Sequence, residues 1–423
     1  MKIWLVTIGE PIPSENNSLR MHRTGIISRM IGESTDDSLV WWTSTFSHSL
    51  KKHLYNEDEC VKIKDNFNLI ALKGSGYKSN ISINRIVDHG QIATKFRKLA
   101  RQEPKPDVIV VAFPTLGLCE AAIEYANEYN IPVLLDYRDM WPEVFLDIIP
   151  KPLKSLGRFF LDPLYKRTNK VFKNASGLIG ITDEFLKMGL EKASRNVNGY
   201  DAVFPLAYLK NQFKSEDFDN ALKFWKEIGV FKDEKLLTIC FFGTLGYQFD
   251  LDTVLEAAKV LDNENASVRF ILCGSGDKLE SYKQKASELT NVILPGYMGA
   301  AQIAALLRMS DLGLCPYYPK QAFLNSFPGK SIEYMSSNVP LLSTLGEGIL
   351  GNLIKRNNIG FNYTSGSKDS LVEMIRFINH NRSNLQEMHT RIESIYKTNF
   401  DASEVYNNYI THLRHVVEMH KIN

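Results

Sequence analysis

Phe323-Leu-Asn-Ser-Phe-Pro-Gly-Lys-Ser-Ile-Glu-Tyr-Met-Ser-Ser-Asn-Val-Pro-Leu-Leu342 reads as a loop holding Pro328 and Gly329, a short helix from about Lys330, and a turn into a buried strand, Val339 to Ser343. Lys330 and Glu333 are three apart, so they share one face of that helix, whose N-terminal amides point at the loop. A helix N-terminus beside a lysine suits a phosphate, and a carboxylate one turn later suits sugar hydroxyls. The competing reading is a solvated ion pair on an ordinary surface helix. The rest of the chain decides between them.

A chain of 423 residues is too long for one ordinary core and predicts two domains of roughly 200 residues. Hydrophobic residues at 44% and charged residues at 23% place it among soluble globular proteins. A formal charge of +2 gives no case for nucleic acid as a partner. Cys60, Cys119, Cys240, Cys273 and Cys315 are scattered without a CxxC pair, which predicts reduced thiols in a cytoplasmic protein and neither a zinc site nor a disulfide framework. The apolar run at Ile3 to Ile8 is too short for a signal peptide, and no stretch reaches membrane-spanning length.

Outward from the opening stretch, apolar strand-like runs alternate with helical ones along both halves. Residues 2–8, 38–43, 68–72, 107–113, 131–136 and 177–182 predict strands of a first α/β domain. Residues 236–242, 268–273, 291–296, 311–316, 339–343 and 359–363 predict those of a second. The first loop lacks G-x-G-x-x-G, so a dinucleotide fingerprint is absent. Arg20 and Arg23 stand at a predicted helix start, where the dipole disfavours cations unless they face an anion. Gly74-Ser-Gly-Tyr77 predicts a flexible turn, and the next helix is expected from His89 to Arg101. The strand at 131–136 ends in Asp136-Tyr-Arg-Asp-Met-Trp-Pro-Glu143. Carboxyl ends of strands line the crevice of open α/β sheets, so Arg138, Asp139, Trp141 and Glu143 are candidates for function; a closed structural network is the alternative.

Between 151 and 173, basic residues interleave with Phe159, Phe160, Leu161 and Tyr165, a pattern suited to an anionic membrane surface. Burial of the apolar face in the core, with solvated lysines, is the alternative. In the second half Gly243-Thr-Leu-Gly246 directly follows a strand and precedes a helix, the parts of an anion cradle of backbone amides. Asp250-Leu-Asp252 spells D-x-D, but its place at a helix start predicts capping.

Gly243-Thr-Leu-Gly246, Leu272-Cys-Gly-Ser-Gly-Asp277, Asn291-Val-Ile-Leu-Pro-Gly296, Ser310-Asp-Leu-Gly-Leu-Cys-Pro316 and Lys330-Ser-Ile-Glu-Tyr-Met335 occur in the order found in GT-B glycosyltransferases. The chain resembles the retaining family 4 enzymes, of the bacterial O-antigen and capsule type, whose R-D-x-W-P-E segment is matched by Arg138 to Glu143. The resemblance is strong over 236–345 and weak before residue 107. It implies two Rossmann-like domains facing each other across a cleft: an acceptor domain over 1–208, a donor domain over 209–401, and a C-terminal helix, 402–423, crossing back to the first.

It further implies a nucleotide-sugar donor, with UDP expected, while the basic and aromatic stretch 151–173 predicts a polyprenyl-diphosphate-linked saccharide acceptor at the inner face of the membrane. Glu333 matches the second glutamate of the E-x7-E motif, which holds the donor ribose, and Lys330 matches a lysine near the diphosphate. The base falls near Pro295-Gly-Tyr-Met298 and the phosphates near Gly243, Thr244, Leu245 and Gly246; Asn325, at the position that contacts the donor sugar, with Ser326 and Gly329 complete the donor site. Arg20, Arg138, Asp139, Trp141 and Glu143 fall to the acceptor, with Asp139 as candidate base; no cofactor and no metal are expected. Asn325 stands where the motif's first glutamate belongs, and Thr244, Leu245, Tyr247 and Gln248 lack the basic pair of many relatives. These departures keep a non-catalytic nucleotide-sugar-binding subunit and a sugar-nucleotide epimerase of the same fold open as alternatives.

Overall fold

The computed structural model describes residues 1–13, 21–34, 36–48, 50–79, 82–147, 149–210 and 213–422. Its contacts divide the chain into one unit of Met1–Leu206 with Val405–Asn423 and a second of Ala207–Glu404.

The first unit contains β1 (Lys2–Val6), α1 (Arg23–Glu33), β2 (Ser38–Ser44), a small hairpin of β3 (Phe46–Ser47) and β4 (Lys52–His53), β5 (Glu59–Lys64) and β6 (Phe67–Leu72). It continues with α2 (Ile83–Leu99), β7 (Val108–Phe113), α3 (Leu116–Tyr129), β8 (Val133–Tyr137), α4 (Lys154–Asn174), β9 (Gly177–Gly180), α5 (Asp183–Ala193) and β10 (Ala202–Val203). The sheet order is β10-β9-β8-β7-β1-β2-β6-β5, parallel except for the edge strand β5. Strand succession therefore reverses between β1 and β7, the switch point where open sheets bind ligands. Every residue of β7 is buried, as a central parallel strand covered on both faces requires. Trp4, Trp42 and Phe96 stack edge to face beneath α2, with ring centroids 5.3 Å and 5.0 Å apart along the chain of contacts.

Helix α2 starts six residues before the sequence-based expectation, because the Ser82 side chain caps it by accepting from the Arg85 amide at 3.3 Å. Its first turns expose Ile83, Ile86 and Val87, which hides the amphipathic period there. Strand β5, exposed along most of its length, also lacked a buried pattern to read.

The second unit contains α6 (Ser215–Glu227), β11 (Leu237–Phe242), α7 (Leu251–Asn263), β12 (Val268–Cys273), α8 (Leu279–Ala286), β13 (Val292–Gly296), α9 (Ala300–Met309) and β14 (Leu312–Cys315). Then follow α10 (Gln321–Leu324), α11 (Gly329–Ser336), β15 (Leu341–Ser343), α12 (Ile349–Asn357), β16 (Gly360–Asn362), α13 (Lys368–His380) and α14 (Ser383–Asn399). The order β13-β12-β11-β14-β15-β16 is parallel throughout and reverses between β11 and β14. Numbered from β11, this is the 3-2-1-4-5-6 order of a Rossmann sheet. Helix α15 (Ala402–Ile422) runs mostly within the first unit, where Arg414 pairs with the buried Asp37 at 2.7 Å.

Candidate functional site

In the second unit the switch point is crowned by α11. Gly313 of β14 has no side chain where the Tyr334 ring lies, and a Cβ there would overlap that ring. The Tyr334 hydroxyl donates toward the carbonyls of Cys240 and Leu314, both at 3.2 Å, which ties α11 to β11 and β14 together. Lys330 and Glu333 are thereby held over the junction of these two strands. The Lys330 stem runs along Gly243, where an added Cβ would overlap its Cε and Nζ. Its ammonium stands 4.5 Å from the Phe249 ring centroid and 5.7 Å from that of Phe241. Glu333 is buried and accepts from the Tyr208 hydroxyl at 3.3 Å.

The loop after β11 corrects one expectation. The amides of Gly243, Leu245 and Gly246 donate to the carbonyls of Cys273, Ser275 and Thr244, at 3.0, 2.8 and 3.0 Å. The loop therefore offers a ligand open space and the Lys330 ammonium far more than it offers free amides. It interlocks with the turn after β12: Gly274, at φ +151, brings its α-carbon so close to the Gly243 carbonyl that only glycine fits. Gly274 in turn donates to the Gly296 carbonyl at 2.7 Å, linking the segment Pro295 to Met298 to the same spot. Tyr297 is 76% exposed there.

Asn325 ends α10 half-buried, its side-chain amide donating to Gln321 Oε1 at 3.3 Å. The Ser326 hydroxyl turns back to the Ala322 carbonyl at 2.6 Å, so it serves its own turn. Gly329 is exposed at the start of α11. A cavity of about 490 Å³ opens beside Glu333, lined by Tyr208, Lys210, Phe218, Ala300, Arg308 and Ser336 among others. That volume is in the range of small-molecule sites. The D-x-D carboxylates are structural: Asp250 caps α7 through the Thr253 amide and hydroxyl at 3.2 and 2.8 Å, and Asp252 pairs with Lys278 and Lys285.

In the first unit the cluster after β8 separates. Arg138 donates to Asp136 Oδ2 from Nε and Nη2, at 2.9 and 2.7 Å, to the Thr24 hydroxyl at 3.0 Å, and to Glu10. Arg23 Nε reaches the same Asp136 oxygen at 3.1 Å, and its Nη1 donates to the carbonyls of Phe204 and Pro205 at 2.6 and 3.1 Å. Two guanidinium groups and two carboxylates thus balance in a closed network, and the expectation that Arg138 meets a ligand is corrected. Trp141 packs edge-on against Phe113 and Phe145, and Glu143 pairs with Lys192, so both are also engaged by the fold. Asp139 alone of this segment presents its side chain outward. Crowding by surrounding protein pushes its carboxyl above the usual range, against the charges of Arg138 and Arg85. Arg20 lies outside the described residues. Among the described residues no group of His, Cys, Asp or Glu side chains is placed to hold a metal ion, and no helix is long and apolar enough to cross a membrane.

Residues 224–396 match the family model described as Glycosyl transferases group 1, so the second unit carries a glycosyltransferase domain, and the solved structures that are similar along the whole chain share its GT-B fold. The sucrose-phosphate synthase of Thermosynechococcus elongatus is similar along the whole chain, with TM-score 0.71 at 14% identity and 99% of each chain covered. HepE of Anabaena, solved with UDP-glucose, gives 0.63 at 15% identity over 98% of this chain and 99% of that one. WaaG, a glycosyltransferase involved in lipopolysaccharide biosynthesis, gives 0.63 at 14% identity over 97% of this chain and 98% of that one. No curated protein sequence matches at a significant level.

Proposed function

We propose that the protein moves a hexose-type sugar from a UDP-sugar, with retention of configuration, onto a polyprenyl-diphosphate-linked saccharide, in the manner of family 4 enzymes of surface polysaccharide synthesis. The observation that carries this reading is the Lys330 ammonium against Gly243, with buried Glu333 one turn on. A retaining transfer passes through an oxocarbenium-like transition state and needs its diphosphate leaving group stabilised. Lys330 is assigned that charge, Glu333 the ribose hydroxyls, Pro295 to Met298 the base, Gly243 to Gly246 and Gly329 the space around the diphosphate, and Asn325 with Ser326 the donor sugar. No metal or cofactor is assigned a role. The neighbouring HepE was solved with UDP-glucose, which favours a uridine donor.

Thermal stabilisation against a panel of UDP- and GDP-sugars tests the donor. A ligand at 100 times its dissociation constant adds about 2.7 kcal/mol. We expect a rise with UDP-sugars and none with GDP-sugars; a rise with guanosine donors alone would overturn the base assignment.

Asp139 is assigned to the acceptor hydroxyl, as positioning group or base. Its carboxyl pKa is raised, so its charge is lost as pH falls through a value above the ordinary carboxylate range of about 4. The acid limb of kcat/KM should sit above that range and vanish in Asp139→Asn, with turnover down roughly 100-fold. Unchanged turnover in Asp139→Asn would remove the residue from the reaction.

A peripheral position on the inner membrane face rests on α4. Only Thr168, Val171 and Phe172 of this helix are buried, so core packing of its apolar face holds for the C-terminal half alone. In the first half Phe159 and Phe160 are 74% and 72% exposed, with Leu156 and Leu153 also out. Lys154 and Arg158 flank them, and each basic side chain near an anionic surface is worth about 1 kcal/mol. Cosedimentation with phosphatidylglycerol vesicles should be strong at low salt and fall at least tenfold in the Phe159→Ser, Phe160→Ser variant. Equal binding by that variant would sink the assignment to α4.

A further inference from the structure

Helix α2 carries apolar side chains on two faces. Ile92, Ala93 and Phe96 face the core and are at most 1% exposed. Ile83, Ile86 and Val87, spaced i, i+3, i+4, share an outer face at 77%, 71% and 47% exposure. Scattered apolar residues on a surface are ordinary, whereas a contiguous patch marks an interaction site. Leu50, between β3 and β4, and Leu54, just past β4, are also exposed.

The patch has a fixed base. Tyr77, 7% exposed, lies 4.7 Å from the Phe46 ring and 6.0 Å from the His89 ring, centroid to centroid, so hairpin, turn and helix meet at it. Lys51 Nζ and Arg85 Cζ stand 4.9 and 5.7 Å from its ring centroid, and its hydroxyl shares a hydrogen bond of 2.7 Å with His48 Nδ1. Asp88, 1% exposed, accepts from the Gly76 amide at 2.7 Å, and a Cβ on Gly74 would overlap its carboxylate. The turn Gly74 to Tyr77, expected to be flexible, is therefore held, and it fixes the hairpin beside the start of α2.

The surroundings of the patch are basic. Residues 45–56 and 77–87 contain Lys51, Lys52, Lys78 and Arg85 and neither Asp nor Glu. Lys52 and Lys78 are exposed. Of the acids that follow these segments, Asp88 is taken up in the clamp, and Asp58, between Glu57 and Glu59, pairs with Lys95 in the second half of α2 at 2.7 Å. Exposed aliphatic side chains among lysines suit an anionic bilayer: the apolar groups enter the acyl boundary while the ammonium groups stay among the headgroups.

The position of the patch points the same way. Helices α2, α3 and α4 follow the parallel strands β6, β7 and β8, so their first turns lie at the carboxyl end of the sheet. Helix α3 packs against both α2 and α4, which sets the three side by side in one layer. Exposed apolar side chains thus occupy the same end of α2 and of α4, where Phe159 and Phe160 stand out, and Asp139 follows β8 at that end. We propose that Ile83, Ile86 and Val87 form a second membrane-inserting patch, which with the start of α4 seats the carboxyl end of this sheet on an anionic bilayer. Two separated contacts fix an orientation that one leaves free, and they bring the end bearing Asp139 to a lipid-linked acceptor. The proposal rests on the reading of α4 as a membrane contact and extends it.

Cosedimentation of the full chain with phosphatidylglycerol vesicles at low salt compares wild type, the Ile83→Ser, Ile86→Ser, Val87→Ser variant, the Phe159→Ser, Phe160→Ser variant, and both sets of changes together. The α2 variant is expected to bind at least tenfold more weakly with an unchanged thermal transition, and the combined variant to lose the product of the two separate effects. An environment-sensitive dye on an Ile86→Cys, Cys60→Ser chain, whose other cysteines are buried, should shift its emission to the blue on vesicle binding. The same dye on the exposed Cys60 of wild type, out on β5, should not shift. Wild-type binding by the α2 variant, or an unshifted dye at position 86, overturns the patch. Loss in the α2 variant alone, with the α4 variant binding as wild type, strikes α4 and leaves the patch standing. Wild type that ignores the vesicles overturns both, and equal binding to phosphatidylcholine vesicles overturns the anionic choice of lipid. An α2 variant that passes from dimer to monomer on gel filtration, with vesicle binding intact, makes the patch a contact between two copies of this chain and overturns the proposal.

Discussion

Lys330→Ala is expected to lower kcat with a UDP-sugar by roughly 100- to 1,000-fold, the range for removing one preorganised group that stabilises developing negative charge. The half-buried ammonium is held by its stem along Gly243 and by the face of Phe249, so its charge acts from a fixed position. Loss of bulk is the rival explanation, because Lys330 also fills the space over Gly243. Lys330→Met separates the two: it keeps most of the stem and removes the charge. If charge is what matters, the methionine variant falls nearly as far as alanine. If stem packing matters, methionine restores turnover, and the assignment to the leaving diphosphate is lost. Steady-state kinetics at saturating donor, with donor stabilisation measured in parallel, distinguishes a transition-state effect on kcat from weaker ground-state binding.

How far such a site can be read ahead of the structure depends on how local its determinants are. The placement of Lys330 and Glu333 on one short helix is legible because it is set by helical spacing and by glycine and proline immediately upstream. The strand and helix alternation gave the paired α/β units for the same reason. The free-amide reading of 243–246 fails because the Gly243 and Leu245 amides are taken by Cys273, at the end of β12, and Ser275, in the turn after it, some thirty residues on. Arg138 shows the limit more sharply. Its position at a strand end suggested a ligand, but its partners Glu10 and Thr24 come from more than a hundred residues earlier in the chain. The cluster around Tyr77 is not legible in the sequence, because His48, Tyr77 and Arg85 arise from separate segments with no common period.

The network around Arg138 leads to the largest stability effect. Asp136 is fully buried and receives both Arg23 and Arg138 on one oxygen, while Arg23 is itself only 3% exposed. Replacing a buried ion pair wholesale with apolar groups can be neutral, but deleting one partner strands the other's charge and costs about 3–5 kcal/mol. Asp136→Ala would strand Arg23 beneath the Tyr409 ring, whose centroid is 5.0 Å from its Cζ, and would leave Arg138 with Glu10 alone among the two carboxylates. For a unit of this size each kcal/mol shifts the midpoint by roughly 2–4 °C, so the transition involving the first unit should fall by about 6–20 °C. Glu10→Ala should cost less, because Arg138 is partly solvated and keeps Asp136. Calorimetry of the two variants checks the order. A binding role for the network makes the opposite forecast, with Asp136→Ala raising the acceptor KM while leaving the transition in place. The second unit's Lys330 and Glu333 lie outside the network, so UDP stabilisation should persist in Asp136→Ala wherever that unit remains folded.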